Sequence, residues 1–204
     1  MGLPNTRERI LDASAQVMST RGLAAATTKE IARAAGFSEA ALYKHFRDKE
    51  DLFLTVLSER LPPLISLLDD LPERVGKGAV ATTLEDVARA AVAFYDRSTP
   101  IAASLFADPG LLARHRERMG EAGRGPQLAY ELLAGYLRGE QRLGRLSRSA
   151  KPAVAAGLLL GACFQRAFLR SFLGEPADES TDHVFARDAV RTLLRGLSLQ
   201  KPPG

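Results

Sequence analysis

The sequence predicts an all-α fold, on three observations. Apolar residues recur three and four apart, several helix starts carry their own capping side chains, and no stretch alternates as a strand would. The spacing predicts about nine helices. They divide into an N-terminal module of short helices and a C-terminal bundle of longer ones.

Met1 to Asn5 reads as a frayed tail. The first helix runs from about Thr6 to Thr20, with Ile10, Leu11, Val17 and Met18 on one face and Gly22 closing it. Thr27 and Glu30 then fit a capping box, in which the threonine side chain accepts from an orphan N–H and the glutamate reaches back to the cap. Ile31, Ala32 and Ala35 follow at helical spacing, and Gly36 stands where a left-handed residue stops the helix. Ser38 is an N-cap for a second short helix, whose Leu42 and Phe46 lie four apart on an inward face. Glu39, Ala40, Tyr43, Lys44 and His45 are left for the other faces. Asp48 caps a fourth helix, with Lys49 in its first turn and Leu52, Phe53, Val56 and Leu57 turned inward. That helix reaches Leu61 and meets Pro62-Pro63, where a kink or break is expected.

Beyond it, Leu64 to Leu71 resumes as helix, and Pro72 to Gly78 reads as a mobile loop. Thr82 with Glu85 fits another capping box, opening a helix to about Arg97. Thr99-Pro100 starts the next, which Asp108-Pro109-Gly110 interrupts. Leu111 to Met119 is a short basic helix, and Gly120 to Pro126 is a loop. Gln127 to Arg142 forms a long helix and Ser149 to Leu173 the most apolar one, stopped by Gly174 and Pro176. Ser180 to Leu197 is the last helix, before a loose Lys201-Pro-Pro-Gly end. The division falls at the fourth helix. Residues 1–50 form one domain, 48–61 connect, and 62–204 form the other.

A helix, a short turn containing glycine, and a helix with a mixed basic, aromatic and small outer face read as a helix-turn-helix. With the helices before and after it, the stretch 6–57 resembles the DNA-binding domain of the TetR family of transcriptional regulators (TetR/AcrR-like). The segments TRERILDAS, TTKEIARAAGFS and ALYKHFRDKEDLF carry the likeness, over nearly the whole of that family's N-terminal module.

A recognition helix enters the major groove with its N-terminal part against base edges. Ala40 and Ala41 are small enough for close approach and can touch a thymine methyl. Lys44 can bond guanine or phosphate, and His45 can donate to a phosphate oxygen. The resemblance implies that Tyr43, His45 and Lys49 clamp the DNA backbone, and that Thr28 and Lys29 match its other phosphate contacts. Each has a plainer reading: Tyr43 as packing against the first helix, the lysines as solvated charges, and Arg33 and Arg47 as either. Glu39 is open. An acid in the first turn suits the macrodipole, while in the groove it would accept from a cytosine amino group or repel phosphate.

Family resemblance further implies a homodimer through the last two helices, a palindromic operator in double-stranded DNA, and a ligand cavity within the C-terminal bundle. Gly157 and Gly161, then Phe164, Phe168 and Phe172, offer one face, and Val184, Ala189, Val190, Leu193, Leu194 and Leu197 another. Candidate cavity residues are Phe94, Tyr95, Phe106, Tyr130, Leu133, Tyr136, Phe164 and Phe168, with Gln165 or Arg166 as polar handles. Their apolar character favours a hydrophobic or amphipathic effector. The expected function is a ligand-released repressor. The alternative is a ligand- or lipid-binding helical protein, or a nucleoid-associated one, without operator-specific regulation.

Composition adds bounds. With 28 Lys and Arg against 24 Asp and Glu, the net charge of +4 permits nucleic-acid binding without demanding it. The single cysteine, Cys163, excludes an intrachain disulfide and fits a reducing, cytoplasmic setting. No charged-then-apolar leader opens the chain, and the apolar run from Ala153 to Phe164 is too short to span a bilayer. No nucleophile-base pattern or phosphate-binding strand-loop-helix appears, and His45, His115 and His183 are scattered, so neither catalysis, a metal nor a cofactor is expected.

Overall fold

The structure is a computed structural model. It describes residues 5–60, 64–121 and 125–197, with side chains throughout except at 19, 21–25, 57, 58, 104 and 197. Expectations for the frayed start, the Pro62-Pro63 break, the middle of the 120–126 loop, the C-terminal tail, and the Leu57 and Leu197 side chains lie outside the described residues.

Eleven helices and no strand occur among the described residues. They are α1 (Thr6–Ala25), α2 (Thr28–Ala35), α3 (Glu39–Leu42), α4 (Lys49–Glu59), α5 (Leu64–Asp69), α6 (Leu71–Arg74), α7 (Val80–Ala107), α8 (Pro109–Glu121), α9 (Gln127–Arg142), α10 (Pro152–Leu173) and α11 (Glu179–Leu197). Leu64 to Arg74 forms two helices, α5 and α6, where one was expected to Leu71 and Pro72 to Gly78 was read as a loop.

Several boundaries correct the sequence reading. α1 continues five residues past Thr20, through Gly22, because glycine weakens a helix without ending it and no cap intervenes. The helix expected to open at Thr82 starts at Val80, which places Thr82 inside it. The two helices expected on either side of Thr99-Pro100 are one, α7, with Pro100 in its interior. Proline there removes the bond to the carbonyl four residues back and crowds that carbonyl, a cost that the helix bears. Asp108-Pro109-Gly110 ends α7 at Ala107 as expected, and it also starts the next helix. Asp108 accepts from the Leu111 amide at 3.0 Å, and Pro109 takes the first position, where its missing N–H costs nothing.

The chain forms two compact units, residues 1–62 with 97–123, and residues 63–96 with 124–204. The sequence division at the fourth helix did not anticipate that 97–123 group with the N-terminal residues. The dividing line falls inside α7, between Asp96 and Arg97.

In the first unit, Ile10, Leu11 and Met18 of α1 pack with Ile31 of α2, Leu42 of α3, Phe46, and Leu52, Phe53 and Val56 of α4. Ile101, Leu105 and Leu111 from α7 and α8 complete the cluster. Ion pairs tie α1 to the end of α4: Arg7 to Glu59 at 2.7 Å, and Arg60 to Asp12 at 2.8 Å and to Glu8. The Arg7 hydrogen bond holds the Glu59 carboxyl below its ordinary value. On the other side, α8 reaches the start of α4 through Arg118 with Asp51 at 3.3 Å and Arg114 with Glu50.

In the second unit, Leu64, Leu68 and Leu71 pack with Leu84, Val87 and Ala91 of α7, Leu133, Tyr136 and Leu137 of α9, Leu159, Leu160 and Cys163 of α10, and Val190 of α11. Burial pushes the Cys163 thiol up to about 12, so it is packed and inert. The α6–α7 turn is pinned to α9, where buried Glu140 accepts from the Gly76 amide at 2.9 Å. Gly139 permits this, since a Cβ there would meet Val75 at 2.8 Å. Arg170 of α10 bridges Asp96 of α7 and Asp182 of α11, and Arg166 joins Asp182 at 2.6 Å.

α10 carries apolar residues on two sides. Ala155, Ala156, Leu159, Leu160, Cys163 and Ala167 face the core, while Val154, Leu158, Phe168, Leu169 and Phe172 are exposed. The apolar run read as too short lies within a 22-residue helix that is long and apolar enough to cross a bilayer by length and composition. Its core-facing side packs like that of any bundle helix.

Candidate nucleic-acid interface

The geometry of this edge follows from four caps. Asn5 accepts from the Glu8 amide and opens α1. Thr27 accepts from the Glu30 amide at 3.2 Å while Glu30 reaches back to the Thr27 amide, completing the capping box. Gly36 ends α2 at φ 76°, with its amide on the Arg33 carbonyl at 3.1 Å and the Phe37 amide on Ala32 at 2.8 Å. This paired closure needs a left-handed residue, so glycine is required. Arg9 locks the same turn, donating to the Ala35 carbonyl at 3.1 Å and lying over the Phe37 ring. Ser38 then accepts from the Ala41 amide at 3.2 Å and sets the start of α3.

α3 has one regular turn. Hydrogen bonds from the His45 and Phe46 amides to the Leu42 carbonyl extend it as turns to Phe46. Leu42 and Phe46 sink into the core, as their spacing required. Around them, Glu39, Ala40, Tyr43, Lys44 and His45 are exposed, Ala41 is partly so, and Lys29 is exposed in the first turn of α2. Tyr43 leaves 48% of its surface open, so it is not consumed by packing. Arg33 and Arg47 are exposed as well.

Lys49 lies at the start of α4 with its ammonium 5.0 Å from the Phe53 ring centre. The helix end beside it is already occupied: Asp48 accepts from the Asp51 amide at 2.7 Å, and Asp51 accepts from the Arg47 amide at 3.1 Å. The Asp48 cap thus satisfies one of the first N–H groups of α4, while the Arg47 amide lies ahead of the cap.

One feature was invisible in the sequence. The Thr28 hydroxyl donates to Glu39 at 2.6 Å, and the Tyr43 phenol reaches Thr28 Oγ1 at 3.5 Å. A hydroxyl has one proton to give. In this arrangement the Thr28 proton goes to Glu39 and the Tyr43 proton to Thr28, so the Thr28 hydroxyl gives none to a phosphate. The only cue was that Thr28, Glu39 and Tyr43 flank one turn.

The candidate ligand residues fall into three groups. Phe94 and Tyr95 sit 5.4 Å apart, Tyr95 meets Phe164 edge-on at 5.5 Å, and Phe168 stacks on Phe164 at 6.2 Å. Burial, then the neighbouring Tyr130, pushes the Tyr95 phenol up, so these five come together. Leu133 and Tyr136 are core residues, and Gln165 is exposed. Phe106 is exposed in the other compact unit. A large concavity lies elsewhere in the second unit: an open groove of about 1140 Å³ between α10 and α11, with Val154, Leu158, Val184 and Leu193 on its walls. Gly157 and Gly161 of α10 face open space. In the last helix, Val190 is buried and Leu193 and Leu194 lean on the core, so that stripe is mainly spent within the chain.

Comparison with known proteins gives a consistent picture. The model for bacterial regulatory proteins of the tetR family matches residues 10–56, and that for the C-terminal domain of AefR-like transcriptional repressors matches residues 82–196. The chain is 26% identical over 193 residues to the uncharacterized HTH-type transcriptional regulator YvkB of Bacillus subtilis, covering 95% of this chain and 97% of that one. It is 38% identical over 84 residues to the HTH-type transcriptional regulator SrpR of Pseudomonas putida, 40% of this chain and 39% of that one. Among solved structures, the transcriptional regulator FadR from Bacillus subtilis in complex with stearoyl-CoA superposes with a TM-score of 0.66 at 16% identity, covering 93% of this chain and 98% of that one. That last likeness is one of fold.

Proposed function

Since this chain belongs to the TetR family of bacterial regulatory proteins, we propose that it is a cytoplasmic repressor. It binds a palindromic operator as a homodimer and is released by a small apolar or amphipathic ligand. The observation that carries the reading is the exposed edge of α3. Its inner residues Leu42 and Phe46 are locked in the core while Ala40, Tyr43, Lys44 and His45 stay outside, with Lys29 and Lys49 flanking them. Small residues admit the groove, and the charged and aromatic ones reach phosphates.

A four-residue helix makes few contacts, so two copies one DNA turn apart are needed. The exposed apolar side of α10, with its open glycines and the adjoining groove, supports pairing through α10 and α11. The cluster of Phe94, Tyr95, Tyr130, Phe164 and Phe168 supports an apolar effector, and FadR with stearoyl-CoA is a precedent for such a ligand on this fold. Release requires the effector to bind the DNA-incompetent spacing of the two reading helices more tightly than the competent one.

The test is selection from random duplex DNA under excess bulk DNA, repeated with a cell metabolite extract. The expected outcome is a palindrome whose half-sites lie about 10 base pairs apart and whose capture falls with the extract. Loss of all binding to bulk competitor would instead favour a ligand- or lipid-binding protein without operator specificity.

A further inference from the structure

We propose that Glu39 is a specificity-determining residue that accepts a hydrogen bond from the N4 amino group of a cytosine in each half-site, with Thr28 as its positioning residue; this deepens the operator reading above and rests on it. The carboxylate stands at the first position of α3, exposed, and turned toward Thr28 at the start of α2. Its Oε1 takes the Thr28 proton at 2.6 Å, and Thr28 in turn faces the Tyr43 phenol at 3.5 Å. Among the described residues no cation pairs with Glu39 and nothing bonds its Oε2. One oxygen is held and the other is open.

Beyond the bond to Thr28, the structural roles that would account for an acid here are already filled or weak. Ser38 satisfies the Ala41 amide, so Glu39 is not the cap. The macrodipole sums over aligned peptides, and a helix of four residues supplies little of it. An unneutralised carboxylate near a polyanion opposes binding, and a base amino group offsets that cost. In the major groove guanine shows two acceptors, thymine an acceptor and a methyl, and adenine a donor beside the N7 acceptor, which repels a carboxylate. Cytosine alone shows a donor with no adjacent acceptor. Fixing Oε1 through Thr28 leaves less side-chain freedom to lose when Oε2 meets that donor.

The experiment repeats selection from random duplex DNA with the full-length wild type, Glu39→Gln and Thr28→Val, then measures affinity for the selected duplex and for versions changed at each position. Circular dichroism confirms equal helicity, which is expected because Glu39 is exposed. Wild type should require a C·G pair at one position per half-site. Glu39→Gln should lose about tenfold discrimination there and admit A·T, whose N6 and N7 suit an amide, with other positions unchanged. Thr28→Val should keep the same preferred base with weaker discrimination at that position alone. Identical base preferences in Glu39→Gln and wild type, or an equal loss on every sequence, would overturn the inference while leaving the operator reading standing. Enrichment of nothing by wild type would overturn both.

Discussion

The two compact units use their apolar residues in opposite ways. In the first, α1 to α4 each open on a capping side chain, and most of their large apolar side chains go into one cluster. What remains outside along α3 and its following turns is small, charged or aromatic, Glu39 among them. In the second, α10 has enough apolar surface for two destinations: Leu159 and Leu160 are in the core, while Leu158 is 62% and Phe172 76% exposed. A cap is a contract between neighbours in sequence. A second apolar face is an offer to something outside the chain.

Substitutions break or sharpen this contrast. The largest effect is expected for Leu42→Ala, which removes a fully buried side chain from the cluster that orients α3. A loss of about 2–5 kcal/mol should appear in urea unfolding, with DNA binding lost alongside. A loss below about 1 kcal/mol would mean that α3 is not seated as described. Next comes Leu158→Glu. It puts a charge on the exposed side of α10, so helicity should hold while self-association weakens by at least about thirtyfold in sedimentation equilibrium. Unchanged association would move the interface off this side. The smallest effect belongs to Thr27→Ala. Losing the capping box of α2 should cost about 1 kcal/mol by thermal unfolding, with the second unit untouched. A loss near zero would show that packing alone holds α2.

This contrast also explains what could be read in advance. Thr27 with Glu30, Gly36, Ser38 and Asp48 act where they stand in the sequence, because each cap needs partners only three or four residues away. The Thr28–Glu39 bond spans eleven residues and exists only once the turn has folded. Pro100 looked like a helix start because proline favours first turns, yet packing on both of its sides carries α7 through it. Aromatic composition could not separate Tyr136, sealed in the core, from Phe164, left half open, since periodicity says which residues share a face but not what that face meets. For the same reason the stripe read on α11 divides, with Val190 buried in the chain and Val184 48% exposed.

The mass of the full-length chain, alone and on a selected duplex, bears most directly on the claim that two α3 edges must act together. Sedimentation equilibrium should give two chains in free solution and two on each palindrome, with a duplex carrying a single half-site bound far more weakly. A single chain that binds the half-site as tightly as the palindrome would contradict the account.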